Sequence, residues 1–286
     1  MPAAVEFMNE LIDRFAQATA ANRSTPGRRG ASVHLNEDSA DAVLLAGDLH
    51  GNRGNFNKLV KAARLDKFPK RHLVLQEVVH GGGQYPGGGC MSHMLLEDVA
   101  KLKTQFPDRF HFLLCNHELA EVTGQQLLKA GVSQNLSFAT GLNEAYGPGA
   151  DMIAKRYHSF TMSCPLAVRL SNGVFISHTL PDKEAFPKFD FGVYDREITR
   201  EDALRNGPAH AAVWGRDYDA KHVEAFLAKV GADVLLTGHE PIPEGSRLMN
   251  PRQIAFDCSG SECFACVIPL KRRVSAGELA EHLHRL

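Results

Sequence analysis

Strands that alternate with helices, with ligand-type side chains gathered where those strands end, predict an α/β fold for this chain. Three observations carry the prediction. Apolar runs at residues 42–47, 72–79 and 111–115 are each followed by a polar loop and then by helical periodicity. Each run ends in residues able to hold a cation or a proton: Asp48 and His50, then Glu77, then Asn116 and His117. Two later runs end the same way, in His178 and His239. Sites in open α/β sheets form outside the carboxyl ends of strands, so the pattern locates function as well as fold.

Val5, Met8, Leu11, Ile12 and Phe15 recur at helical spacing and predict an amphipathic helix over 3–20. Residues 23–40, with Thr25, Pro26 and Gly27 among many polar side chains, read as a connecting loop. The strand at 42–47 runs into Gly47-Asp48-Leu49-His50-Gly51, and a helix carrying Phe56, Leu59, Val60 and Ala63 follows, with Asn55 near its start. The run 72–79 leads into a glycine-rich loop, 81–89. That loop lacks the G-x-G-x-x-G of a dinucleotide site and lies too far from any Lys-Ser/Thr to be a P-loop. It reads as a flexible rim. Ser92 is placed to cap a helix carrying Leu95, Val99 and Leu102. After the strand at 111–115, residues 120–160 read as mainly helical, with breaks at Gly131, Gly141 and 147–149.

Residues 165–170 and 174–177 flank Ser171-Asn172-Gly173, a hairpin signal, with His178 at its end. Next come Trp214-Gly215-Arg216-Asp217, a helix with Val223, Phe226, Leu227 and Val230, and a strand at 233–237 leading to Gly238-His239-Glu240. Residues 253–257 and 264–270 read as a final hairpin. Ser275-x-x-Glu278 ahead of Leu279, Leu283 and Leu286 reads as a capped terminal helix over 275–286. No internal repeat or linker interrupts the series, which predicts one domain over 1–286 with its core at about 42–270.

Composition narrows the function classes. Hydrophobic residues make up 44% and charged residues 23% of the 286, ordinary values for a globular protein. A formal net charge of −1 argues against a nucleic-acid or anionic-membrane surface. No apolar run reaches membrane-spanning length, and acidic side chains through the first 20 residues are unlike a signal peptide. Six cysteines are too sparse for a disulfide framework, so a cytoplasmic location is expected. Cys263 and Cys266 have C-x-x-C spacing, but strand alternation sends them to opposite faces, and they read as small buried side chains. Fourteen histidines leave room for a metal site.

Asp and His together suit zinc, iron or manganese better than magnesium or calcium, which prefer oxygen-only shells. Taken alone, residues 47–51 read equally well as a turn whose Asp48 caps the next helix. Five strand ends in register make that reading poor. They supply two carboxylates, one amide and four imidazoles, more than one tetrahedral zinc needs and suited to two metals that share a carboxylate.

As an ordered set, Gly47-Asp48-Leu49-His50-Gly51-Asn52, Asn116-His117-Glu118, His178 after a strand and Gly238-His239-Glu240 resemble the signature of calcineurin-like metallophosphoesterases. The order and spacing resemble the phosphoprotein phosphatase branch. The segment 157–168, leading to the hairpin and His178, is similar to that family's central segment. The resemblance implies a four-layer α/β/β/α sandwich with two mixed sheets, and two metal ions (manganese, iron or zinc). It implies that Asp48 and His50 hold the first metal, that Glu77 bridges both, and that Asn116, His178 and His239 complete the second. It further implies that a water shared by the metals attacks phosphorus in line, with His117 assisting the leaving oxygen, and that the substrate is a phosphoprotein or a small phosphoester.

Three residues depart from the family pattern. Glu77 stands where the family has its shared aspartate, His80 where an aspartate orients the catalytic histidine, and Gly81 where an arginine clamps phosphate. Arg53 and Arg216 are the candidate replacements for that clamp, with Asn116 also placed to touch substrate; Glu118 and Asp257 are candidate partners of the ligand histidines. Two functions remain in competition: a phosphoester hydrolase, and a catalytically impaired member that binds a phospho-ligand or partner without turnover.

Overall fold

The structure, a computed structural model, describes residues 2–286, with side chains from residue 6 onward, so the expected place of Val5 on the first helix lies outside the described side chains. The first part of the chain forms α1 (Pro2–Arg23), β1 (Arg28–Arg29), β2 (Ser32–Leu35), β3 (Ala42–Asp48), α2 (Arg53–Ala63), β4 (Arg71–Gln76), α3 (His93–Gln105), β5 (Phe110–Phe112) and α4 (Asn116–Thr123). A small hairpin of β6 (Leu128–Lys129) and β7 (Val132–Ser133) precedes α5 (Gln134–Tyr146), α6 (Ala150–Ser163), β8 (Ala167–Leu170) and β9 (Val174–Ser177). Then come α7 (Arg200–Ala203), α8 (Pro208–Trp214), α9 (Ala220–Val230), β10 (Val234–Thr237), β11 (Ser246–Asn250), β12 (Gln253–Phe256), β13 (Phe264–Pro269), α10 (Ala276–Glu281) and β14 (His284–Arg285).

Two mixed sheets result, one ordered β1-β2-β8-β9-β10-β12-β11 and the other β14-β13-β3-β4-β5. Strand alternation divides the apolar residues between their faces. Val43 and Leu45 of β3 pack with Val33, Val168, Ile176, Leu236, Ile254 and Phe256 of the other sheet. Leu44 and Ala46 face the opposite way, toward Phe15, Leu59, Val99 and Phe160 on the helices. Beyond the seven-stranded sheet, Phe175 and Leu235 meet Phe226 of α9. The order is helices, sheet, sheet, helices. Both faces of each sheet are covered, which is why the strands read as nearly continuous apolar runs. Phe15 anchors α1, its ring 4.6 Å from Tyr157 and 5.5 Å from Phe160; burying such a side chain contributes roughly 1.5–3 kcal/mol.

Several sequence expectations are corrected. Residues 23–40 are not only a loop, because β2 pairs in parallel with β8, Ser32 opposite Ala167. The runs at 253–257 and 264–270 do not form a hairpin: β12 joins β10 in the larger sheet, while β13 runs antiparallel to β3 in the smaller one. Both runs are buried, and local pattern carries no information about which neighbour buries them. Ser275 does cap α10, accepting from Glu278 N at 3.1 Å, but that helix ends at Glu281 and the chain closes as β14. Ser92 caps nothing; its hydroxyl accepts from His80 N at 2.9 Å instead. The cap at α2 is Asn52, which accepts from Asn55 N at 3.0 Å.

The glycine-rich loop is tied down rather than free. Gly87 N and Gly89 N each donate to the Glu144 carboxylate at 3.0 Å, and Tyr85 Oη meets His93 Nε2 at 2.9 Å. All six cysteines are free, buried thiols. Cys263 lies in the helix-side core and Cys266 between the sheets, as alternation requires. Among the described residues, no helix is long and apolar enough to cross a membrane.

Candidate metal centre

The carboxyl ends of β3, β4, β9 and β10 and the first turn of α4 converge where the two sheets meet. Cys258 N donates to Asp48 O at 2.8 Å and Gly238 N to His178 O at 3.0 Å, stitching the strand ends together. Asp48, Glu77, Asn116, His178 and His239 are all buried there, none more than 4% exposed. Four residues of the centre adopt left-handed backbone: His50 at φ 40°, Glu77 at 38°, His80 at 64° and His239 at 70°. Such conformations cost about 1–3 kcal/mol each and persist where surroundings dictate them. Leu49 N and His50 N both donate to Glu77 O, at 2.7 and 3.2 Å, locking the first two loops to each other. Gly238 is glycine for a visible reason: a Cβ there would stand 2.2 Å from Asp48 Oδ1. That opening lets His239 N donate to Asp48 Oδ2 at 2.7 Å.

Hydrogen bonds behind the imidazoles decide which nitrogen faces inward. Gln76 Nε2 donates to Ala46 O at 3.2 Å, so its Oε1, 3.1 Å from His178 Nδ1, accepts from that nitrogen. His178 Nε2 then carries a lone pair, yet it lies 2.7 Å from Glu77 Oε2 and 2.7 Å from Asn116 Oδ1. Likewise His50 Nδ1 donates to Val79 O at 3.0 Å, leaving its Nε2 to face Glu77 Oε1 at 3.7 Å. These are acceptors aimed at acceptors. Asp48 Oδ1 and Glu77 Oε2 are buried with no hydrogen-bond donor. Unpaired buried acceptors are costly, and a cation among them removes the conflict.

The ligand atoms of His50, Glu77 and His117 lie within 4.8 Å of one another, as do those of Glu77, His178 and His239. Glu77 belongs to both groups. Asn116 faces the second group, its Oδ1 3.0 Å from His239 Nδ1. Asp48 falls outside both groups and lies nearer the second, its Oδ1 3.7 Å from His178 Nδ1. The residues present therefore offer two candidate cation-ligand groups that share one carboxylate and combine nitrogen with oxygen donors.

Burial disfavours charge at Asp48, Glu77, His117, His178 and His239. It drives the Asp48 carboxyl well above the usual carboxylate range, with Glu77 and Asp257 adding to the rise. It raises Glu77 too, against the opposing pull of His50, His80 and Arg216. It depresses His178 and His239, and depresses His117 with further help from the surrounding imidazoles.

His117, the second residue of α4, places Nε2 3.3 Å from Glu77 Oε1 and Nδ1 2.9 Å from His80 Nδ1. Glu118 meets no ligand histidine; its Oε1 accepts from Val78 N at 2.8 Å and Val79 N at 3.0 Å, holding the loop that presents Glu77. Burial, with Glu77 nearby, pushes Glu118 up to about 7 despite those two donors. Asp257 likewise meets backbone, accepting from Ile242 N at 2.9 Å and Ser259 N at 2.8 Å. Sequence reasoning missed Gln76, which orients His178, and Glu121, which accepts from His80 Nε2 at 2.7 Å. The signal for Glu121 was present, since four residues along a helix from His117 is the same face.

The rim differs from the centre. Gly81, at φ 142°, has no room for a side chain, because a Cβ there would lie 2.4 Å from His50 O. Arg53 turns away to Asp98, with Nη2 2.7 Å from Oδ2. Arg216 pairs with Glu240 at 2.6 Å, yet its charge reaches inward and is felt at Glu77, His178 and His239. Of the two candidate clamps, Arg216 alone acts electrostatically on the cluster.

With two sheets sandwiched between helices and a ligand cluster at their shared edge, the chain belongs to the calcineurin-like phosphoesterase family, whose model matches residues 42–243. A probable serine/threonine-protein phosphatase of Encephalitozoon cuniculi is 24% identical over 247 residues, which cover 80% of this chain and 49% of that protein. The chain thus spans about half the length of that relative. A Saccharomyces cerevisiae protein serine/threonine phosphatase superimposes with a TM-score of 0.67 at 15% identity, covering 92% of this chain and 82% of its own. A cold-active protein-tyrosine phosphatase of Shewanella gives a TM-score of 0.61 at 15% identity, covering 93% and 84%. At such identities these likenesses establish the fold.

Proposed function

We propose that this protein is a phosphoester hydrolase of the phosphoprotein phosphatase type that works with two metal ions. One observation carries the reading: two ligand groups that share Glu77. The family resemblance, rather than the grouping itself, assigns Asp48, His50 and Glu77 to one cation and Glu77, Asn116, His178 and His239 to the other. It leaves His117 of the first group free to act on the leaving oxygen. The cations, manganese, iron or zinc, would neutralise phosphate charge and acidify the attacking water. Asn116 also contacts the phosphate, and Arg216 releases Glu240 to grip a phosphate oxygen. His117 delivers its Nε2 proton to the leaving oxygen as the bond to phosphorus breaks. The substrate is a phosphoprotein or a small phosphoester, met in the cytoplasm. The relatives' names and the family membership support this class of reaction.

Hydrolysis of an aryl phosphate by the Mn²⁺-reconstituted protein tests the proposal, with Asn116→Ala and His117→Ala as controls. Turnover abolished in both variants is the expected result. Full metal loading without turnover on monoesters, diesters or polyphosphates contradicts it. That outcome favours the second reading, a phospho-ligand-binding member, which draws support from arginines committed to carboxylates at the rim.

A further inference from the structure

Behind His117 a chain of hydrogen bonds runs away from the metal centre and ends on a carboxylate. His80 Nδ1 lies 2.9 Å from His117 Nδ1, and His80 Nε2 lies 2.7 Å from Glu121 Oε1. Glu121 Oε1 also accepts from Asn135 Nδ2 at 2.7 Å, which fixes the carboxylate from the α5 side. His80 is itself immobilised. Its backbone N donates to Ser92 Oγ at 2.9 Å, and its ring stands edge-on to Phe138 with centroids 5.7 Å apart.

Each proton position is set by the carboxylate. Glu121 accepts only, so His80 Nε2 carries the hydrogen and His80 Nδ1 presents a lone pair. His117 Nδ1 must then be the donor between the rings, which leaves His117 Nε2 as the end that faces the metal ligands. We propose that Glu121 positions His117 through His80, a carboxylate–imidazole–imidazole relay in which the carboxylate acts one ring removed. The inference rests on the hydrolase reading. In the reaction His117 starts as the imidazolium, protonated on both nitrogens and offset through His80 by the Glu121 carboxylate. The electron pair of the breaking P–O bond stays on the leaving oxygen, which takes the proton from His117 Nε2. His117 is left as the neutral Nδ1–H tautomer that His80 already accepts, so no ring turns over, and solvent later returns the Nε2 proton. His80 and Glu121 are positioning residues; neither touches the reacting atoms.

The test uses Glu121→Gln, His80→Asp and the double variant in the full Mn²⁺-loaded chain, assayed on phenyl and p-nitrophenyl phosphate. Losing a charge-assisted partner predicts a kcat roughly tenfold to a hundredfold lower for Glu121→Gln on phenyl phosphate. The loss is smaller on p-nitrophenyl phosphate, whose leaving group needs no proton, while KM and metal content stay at wild-type values. In the His80→Asp background a carboxylate stands directly beside His117, and Glu121→Gln has no further effect. Equal losses in both backgrounds, or on both substrates, overturn the relay and identify Glu121 as structural. A readout independent of turnover is the proton NMR spectrum of the Zn²⁺-loaded protein. A far-downfield imidazole N–H is expected in the wild type and is shifted or lost in Glu121→Gln. An unchanged resonance contradicts the relay even if no phosphoester is hydrolysed. A changed resonance in an inactive protein retains the relay and rejects the hydrolase.

Discussion

The centre of the site and its rim are built on different terms. At the centre, five proposed ligands lie at most 4% exposed on loops whose backbones are bonded to one another, and three of the proposed ligands hold left-handed φ values. At the rim, the side chains of Arg53 and Arg216 are 47% and 50% exposed, each paired with a single carboxylate. Exposed ion pairs of this kind contribute about 0–1 kcal/mol. Exchanging Glu240 for a phosphate oxygen therefore costs Arg216 little. The centre admits few alternatives to its residues, whereas the rim is free to choose a substrate. The match to the family pattern follows the same division: every proposed cation ligand except Glu77 keeps the family's residue type, whereas the phosphate clamp is replaced.

That contrast breaks most visibly at His117. His117→Ala is expected to lower kcat by about 10²–10⁴-fold with two cations still bound, measured by turnover alongside elemental analysis. A lost cation would instead make His117 a ligand, as its closeness to His50 and Glu77 permits. One step smaller is Gln76→Leu, which frees His178 to turn its proton inward. Metal affinity should fall about 10–100-fold, read by competition with a chelating dye, and unchanged affinity would deny Gln76 that role. At the rim, Arg216→Gln should raise KM for an aryl phosphate by roughly tenfold through loss of a charged hydrogen bond. Arg53→Gln should change nothing, and the reverse result would exchange their assignments.

A buried histidine pair remote from the ligands gives the control. His72 Nδ1 and His111 Nε2 lie 2.9 Å apart, and burial holds His72 down at about 4. The unfolded chain takes up that proton near its ordinary value of 6.5, before the folded chain does. Stability from this group is complete above 6.5 and is lost as pH falls from 6.5 to about 4, on the order of 3 kcal/mol. Chemical denaturation across that window should show the decline, and His72→Gln should make it shallower while His111, which burial also holds down, keeps part of it.

Much of the fold, and the gathering of the ligand-type side chains into one candidate site, was legible in the sequence because it is local. Runs that end in Asp48, Glu77, Asn116, His178 and His239 announce themselves by hydropathy and by the polar loops into which they lead. The long-range choices were hidden. Nothing near residues 253–270 says that β12 and β13 serve different sheets. Nothing near Ser92 says that its hydroxyl is taken by His80. Gly81 looked like a missing clamp, but it is a close backbone contact with His50. His80 looked like a lost aspartate, but it has a carboxylate behind it in Glu121.

Calorimetric titration of the metal-free protein with Mn²⁺ tests most directly whether these strand ends form one dinuclear cradle. Two cations per chain, with both affinities weakened by the single change Glu77→Ala, is the predicted result. A single site, or two sites of which Glu77→Ala disturbs only one, would contradict it.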